Sequence, residues 1–201
     1  MNHSRLEWYS EHIMKRDLLY KLICPFAGNI YTLPKIQHLS LNVSSSTTSG
    51  SQATPNTSSR QKMITLFSGL EILSGQKVKK TYAKKSIASF KLRKGQCIGG
   101  KVTLRNKEMY FFLEKFFFIV LPKIREFVCL QPNTHDSTHT LSSINFSGGS
   151  FLLYPELSNQ YELFESNKGF NATLIMNTNH CSLHTVSGHS VGNILISFFV
   201  P

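Results

Sequence analysis

The chain has 201 residues, 41% of them hydrophobic, with 22 Lys and Arg against 11 Asp and Glu and a formal net charge of +11. That length and apolar content allow one sizeable core with room for an appendage, and the charge points to an anionic partner. No apolar run approaches the ~18 residues of a membrane span, and four widely spaced cysteines (Cys24, Cys97, Cys129, Cys181) form neither a disulfide framework nor a zinc-ribbon spacing.

Residues 3–23 have a helical period, with Leu6, Tyr9, Ile13 and Tyr20 recurring between Glu7, Glu11, Lys15 and Arg16; Pro25 and Gly28 close the helix. After Pro34, the run Lys35 to Val43 alternates Leu39, Leu41 and Val43 with polar residues, as a half-buried strand does. In residues 44–59, 11 of 16 are Ser or Thr and none is charged. Such a segment cannot offset its ordering entropy by burial, so it is expected to be a disordered insert within a single domain spanning residues 1–201. A second helix is expected over residues 60–74, with Met63, Phe67, Leu70 and Leu73 on one face and Gly75 at its end. The Gly69 and Gly75 spacing, followed by Gln76, does not make a phosphate loop.

From Lys77 to Lys107 the chain carries eleven basic residues and no acidic one. Such a run repels itself when free and becomes favourable against a polyanion, where each phosphate contact releases a condensed counterion. Tyr82 and Phe90, interleaved with the lysines of a basic loop at 79–95, are suited to stack on unpaired bases or to pack the loop. Val78 to Thr81 suggests a short strand. In the next strand Ile98, Gly100, Val102 and Leu104 alternate with Gly99, Lys101, Thr103 and Arg105, giving one apolar and one cationic face. Asn106 is expected to cap a helix that buries Met109, Phe112, Leu113, Phe116 and Val120 and ends or kinks at Pro122.

The charge is uneven. Residues 1–126 hold 21 basic and 7 acidic side chains (+14), and residues 127–201 hold 1 and 4 (−3). Residues 130–150 have a loop-like composition, with Pro132, Asp136 and Gly148-Gly149, whereas Ser150 to Tyr154 and Gly169 to Thr178 have the apolar content of strands. The sum is an α+β domain, with helices on one face of a largely antiparallel sheet and a basic loop projecting from it.

Chemistry other than binding finds little support. His180, Cys181, His184 and His189 sit among Ser and Gly with no acidic partner nearby, and no metal or cofactor is expected there. His135, Asp136 and His139 lack an activated nucleophile, and Glu162 and Glu165 fall on a surface turn. No catalytic residues are assigned, and an enzyme is not expected.

Gly75-Gln76-Lys77, the block from Ala83-Lys84-Lys85-Ser86 through Phe90-Lys91-Leu92-Arg93-Lys94-Gly95, Ile98-Gly99 and Lys101-Val102-Thr103-Leu104-Arg105 carry a specific signature. Met109-Tyr110, Leu121 to Phe127, Tyr154-Pro155-Glu156 and Gly169-Phe170 continue it, and Pro34-Lys35-Ile36 with Leu41-Asn42 precede it. Over about residues 5 to 178 the chain resembles the universal large-subunit ribosomal protein five family. Trp8-Tyr9 to Leu22 and the segment from Tyr154 to Phe170 are most similar to mitochondrial members of plants and algae.

The resemblance implies binding of 5S rRNA and large-subunit rRNA in the central protuberance, contact with P-site tRNA, and contacts with neighbouring ribosomal proteins, including one of the small-subunit head. Carried over by position, Lys35, Gln37, Lys101, Thr103 and Arg105 are expected at the rRNA surface. Lys84, Lys85, Ser86, Phe90, Lys91 and Arg93 are expected on the tRNA-facing loop. The insert at 44–59, and Thr134 to His139 where the family has a glycine-rich segment, depart from the pattern. A first helix starting close to Met1, without a transit-like segment, suits an organelle-encoded mitochondrial protein, with a plastid as the alternative. An extra-ribosomal RNA-binding or RNA-processing protein is the competing function.

Overall fold

The computed structural model describes residues 4–17, 35–44, 57–89, 92–124, 132–133, 141–165 and 169–177. Six strands are hydrogen-bonded in the order β2-β3-β1-β6-β5-β4. They are β1 (Lys35–Ser44), β2 (Lys79–Tyr82), β3 (Cys97–Leu104), β4 (Pro132–Asn133), β5 (Leu141–Ser147) and β6 (Asn171–Asn177). With the helices α1 (Arg5–Tyr9), α2 (Thr57–Ser74), α3 (Asn106–Lys115), α4 (Pro155–Ser158) and α5 (Tyr161–Phe164), they make the expected α+β fold with a largely antiparallel sheet. The chain divides into two compact units.

The first unit comprises Met1–Ser40, Leu104–Phe146 and Ala172–Pro201. Ser4 caps α1 by accepting the Glu7 N–H at 3.1 Å, and Glu7 places a negative charge in the first turn. The helix continues as a π-helical turn over Ser10–Met14, in which the buried Ser10 hydroxyl donates to the Glu7 carbonyl at 2.8 Å. Leu6 and Met14 are buried, and α1 packs on α3. All five residues expected on the buried side of α3 and its continuation are buried, joined by Tyr110 and Phe117. Phe116 is the hub, with ring centroids 5.5 Å from Phe117 and 4.7 Å from Phe146. In place of a simple stop at Pro122, α3 passes into a π-helical turn (Phe116–Val120) and then a 3-10 turn (Leu121–Lys123). In β6, Ala172, Leu174 and Met176 are buried while the residues between them are not.

The second unit comprises Leu41–Thr103 and Ser147–Asn171. Leu66, Leu70 and Leu73 of α2 are buried, with Met63 and Phe67 partly so. The Gly75 N–H donates to the Glu71 carbonyl at 2.8 Å and ends the helix as expected. The Glu71 carboxylate accepts the Val78 N–H at 3.0 Å, tying the end of α2 to the start of β2. Phe151, Tyr154, Phe164 and Phe170 form an aromatic cluster, with centroid spacings of 5.4 Å for Phe151–Phe170 and 5.8 Å for Tyr154–Phe170. The Tyr154 hydroxyl donates to the Gly148 carbonyl at 3.1 Å inside it.

Several expectations need correction. The loop at 130–150 contains β4 and β5; Ile144 and Phe146 alternate with exposed Asn145 and Ser147, so two large apolar residues suffice once β4 pairs alongside. Ser150 to Tyr154 is not a strand but leads through a 3-10 turn (Phe151–Leu153) into α4, because Pro155 at the first helical position presets its φ. Asn106 does not cap α3. Arg105 holds the extended cap position without a side-chain hydrogen bond, and Asn106 follows at φ 50, a conformation Asn tolerates. At the insert, Ser44 still belongs to β1 and α2 begins at Thr57; residues 45–56, the helix beyond residue 17, and the histidines of the two candidate clusters lie outside the described residues. Among the described residues no cluster could hold a metal, and no helix is long and apolar enough to cross a membrane.

Candidate nucleic-acid interface

The β2 and β3 strands pair antiparallel with Lys79 opposite Lys101, Lys80 opposite Gly100, Thr81 opposite Gly99 and Tyr82 opposite Cys97. The register skips Ile98, so the pair carries a bulge, which adds twist where the hairpin leaves the sheet. Close packing fixes this register. A Cβ at Gly99 would run into the Val43 carbonyl oxygen, and one at Gly100 into the Val78 side chain and the Phe67 ring. Only glycine admits neighbours that close.

Beyond the strands, the basic loop is held by its own hydrogen bonds. The Ala83 N–H donates to the Gln96 carbonyl at 2.9 Å, and the Gly95 N–H donates to the Ala83 carbonyl at 3.0 Å. Gly95 sits at φ 83, which a side chain would strain. Further out, Ile87 and Leu92 exchange two backbone hydrogen bonds of 3.1 Å. Side chains add two more: Ser86 Oγ accepts the Lys94 N–H at 3.0 Å, and Gln96 Oε1 accepts the Arg93 N–H at 3.2 Å. Ala83 is buried at the base, whereas Lys84, Lys85, Ser86, Arg93 and Lys94 are exposed. The loop is thus a hairpin extension that presents cations on an ordered backbone.

Of the strand residues, Lys101 is exposed and Thr103 half-buried on β3, in the second unit. Lys35 and Gln37, at the start of β1, and Arg105, after β3, are exposed in the first unit. Lys84, Lys85, Ser86 and Arg93 gather on the hairpin, whereas Phe90 and Lys91 lie outside the described residues. Sequence reasoning passed over Lys79 as a site residue, although it stands directly opposite Lys101; its signal was membership of the acid-free run. Tyr82, 58% exposed beside these lysines, offers an open aromatic face.

Residues 97–190 match the family model for the C-terminus of the ribosomal uL5 family. The large ribosomal subunit protein uL5c of Heterosigma akashiwo is 38% identical over 162 residues, 80% of this chain and 82% of that protein. This chain belongs to the uL5 family. Other uL5 relatives agree along most of the length: uL5 of Lawsonia intracellularis is 35% identical over 176 residues (86% of this chain, 87% of that protein), and uL5m of Reclinomonas americana 33% over 172 (86% and 87%). The chain is accordingly a structural protein of the large ribosomal subunit and not an enzyme.

Proposed function

We propose that this uL5-family protein binds 5S rRNA in the central protuberance and reaches with its basic hairpin toward P-site tRNA, beside neighbouring proteins that include one of the small-subunit head. The observation that carries the reading is the acid-free run from Lys77 to Lys107, whose lysines and arginines stand exposed on β2, β3 and a hydrogen-bonded hairpin. Cations without carboxylate partners gain most from phosphate, because each contact releases a counterion from the RNA. Lys35, Gln37, Lys101, Thr103 and Arg105 serve the rRNA surface. Lys84, Lys85, Ser86, Phe90, Lys91 and Arg93 serve the tRNA-facing loop. The ribosome is organellar and, in this proposal, mitochondrial; relatives of the chloroplast and mitochondrial types support the first step.

The test is sedimentation through a high-salt gradient, followed by mass spectrometry of purified organellar ribosomes. Co-migration with mitochondrial large subunits is expected. A pool confined to low-mass fractions would make the protein an extra-ribosomal RNA binder, and recovery only from plastid particles would overturn the compartment.

A further inference from the structure

We propose that Lys79 and Lys101 together form a seat for a single RNA backbone phosphate on the outer face of the β2–β3 hairpin, so that β2 is part of the RNA surface and not merely the stem of the loop. The proposal rests on the rRNA reading of β3 and extends it to a strand that reading leaves out. Lys79 and Lys101 are direct partners in the antiparallel register, which sets their Cβ atoms roughly 5 Å apart. Both project outward. Val78 precedes Lys79 and is buried, Val102 follows Lys101 and is buried, and alternation along each strand turns the lysines to the opposite face.

Like charges directly opposite each other on a sheet destabilise it, and no neighbour along these strands relieves the pair. No Asp or Glu occurs from Lys77 to Lys107, and the Glu71 carboxylate is engaged with the Val78 N–H. The pair cannot easily slip apart either, because Gly99 and Gly100 lock the register against Val43, Val78 and Phe67. Two ammonium groups held side by side on rigid backbone, without a counter-charge, suit one bridging phosphate. Thr103, two residues beyond Lys101 on the same face, adds a hydroxyl donor next to the seat.

A lysine on an edge strand can instead guard that edge against pairing with another chain, and β2 is the terminal strand of the sheet. Variants of the full chain separate the two roles. Filter binding of a 5S rRNA transcript would be followed across a salt series for wild type, Lys79→Gln, Lys101→Gln, the double variant and Lys79→Arg.

If the two lysines share a phosphate, Lys79→Gln and Lys101→Gln each flatten the salt dependence by about 0.9, which is about eightfold in affinity at about 0.1 M salt. The second substitution then adds less than about twofold, and Lys79→Arg keeps wild-type binding. In RNA-free protein, Lys79→Gln should also raise the Tm at low salt, an increase that disappears at about 1 M salt. Full additivity of the two substitutions overturns the shared seat. An unchanged slope for Lys79→Gln beside a flattened one for Lys101→Gln overturns it too, with new self-association marking Lys79 as an edge guard. Inert behaviour of both overturns the seat together with the rRNA reading of β3.

Discussion

The Ser86 hydroxyl accepts the Lys94 backbone N–H at 3.0 Å, across the base of the basic hairpin. A residue placed by family resemblance on the RNA-facing loop therefore also holds that loop in shape. An exposed hydrogen bond of this kind stabilises by about 1 kcal/mol or less. Ser86→Ala should leave global stability nearly unchanged and accelerate hydrogen exchange of the Lys94 amide several-fold. Wild-type exchange at Lys94 would contradict this account of the loop.

At Gly99 the backbone of β3 approaches the Val43 carbonyl so closely that no side chain fits. Gly99→Ala must push β1 and β3 apart or break their pairing, and overpacking of this kind destabilises by about 1–3 kcal/mol. Urea denaturation should show a loss in that range. Because the same contact fixes the β2–β3 register, RNA affinity should fall as well. A variant as stable as wild type would show that β1 and β3 do not pack this tightly.

Burial raises the pKa of the Tyr154 phenol far above its usual value, and the nearby Glu156 charge adds a smaller push in the same direction. Tyr110 is raised too, chiefly by burial, with its hydrogen bond to Ser10 opposing and Glu11 and Glu7 adding to the rise. Below the ordinary phenol pKa of about 10, folded and unfolded chains both keep these protons. Above it the unfolded chain releases them and the folded chain does not, so stability falls as pH rises beyond about 10. Each tyrosine contributes a slope of roughly 1.4 kcal/mol per pH unit. Tyr154→Phe should lose about 1–3 kcal/mol at neutral pH, because the Gly148 carbonyl loses its buried donor. It should also show a shallower decline between about pH 10 and 11. Parallel alkaline profiles for variant and wild type would contradict the burial of this hydroxyl.

Ser40, in central strand β1, is buried, and its hydroxyl finds no hydrogen-bond partner among the described residues. An unsatisfied buried hydroxyl is destabilising by about 1–3 kcal/mol. Ser40→Ala should therefore raise the midpoint of chemical denaturation, and a lowered midpoint would mean that Oγ has a partner after all.

Much of this architecture is legible in the residues because packing follows periodicity. The face of α3 from Met109 to Val120, the alternation of Phe170, Ala172, Leu174 and Met176, and the Lys35 strand all follow from apolar spacing. β5 is not legible, since Leu141–Ser147 holds three Ser and an Asn, and its strand character comes from partners distant in sequence. The turn at Phe151–Leu153 resembles a strand in sequence because apolar residues in a row suit either structure, and Pro155 decides between them. Family resemblance locates the cations of the site. Register and hydrogen bonds, which only the fold reveals, join Lys79 to Lys101 and give Ser86 a second role.

The central claim is that the strand cations hold 5S rRNA while the hairpin cations serve another RNA. Filter binding of 5S rRNA across a salt series tests it most directly, comparing the Lys101→Ala, Arg105→Ala double variant with Lys84→Ala, Lys85→Ala. Each lost strand contact should flatten the salt dependence by about one unit or less. The hairpin variant should keep near-wild-type 5S rRNA affinity and lose P-site tRNA occupancy in assembled ribosomes. Equal loss of 5S rRNA binding by both variants would place the hairpin within the rRNA site and contradict the division of labour.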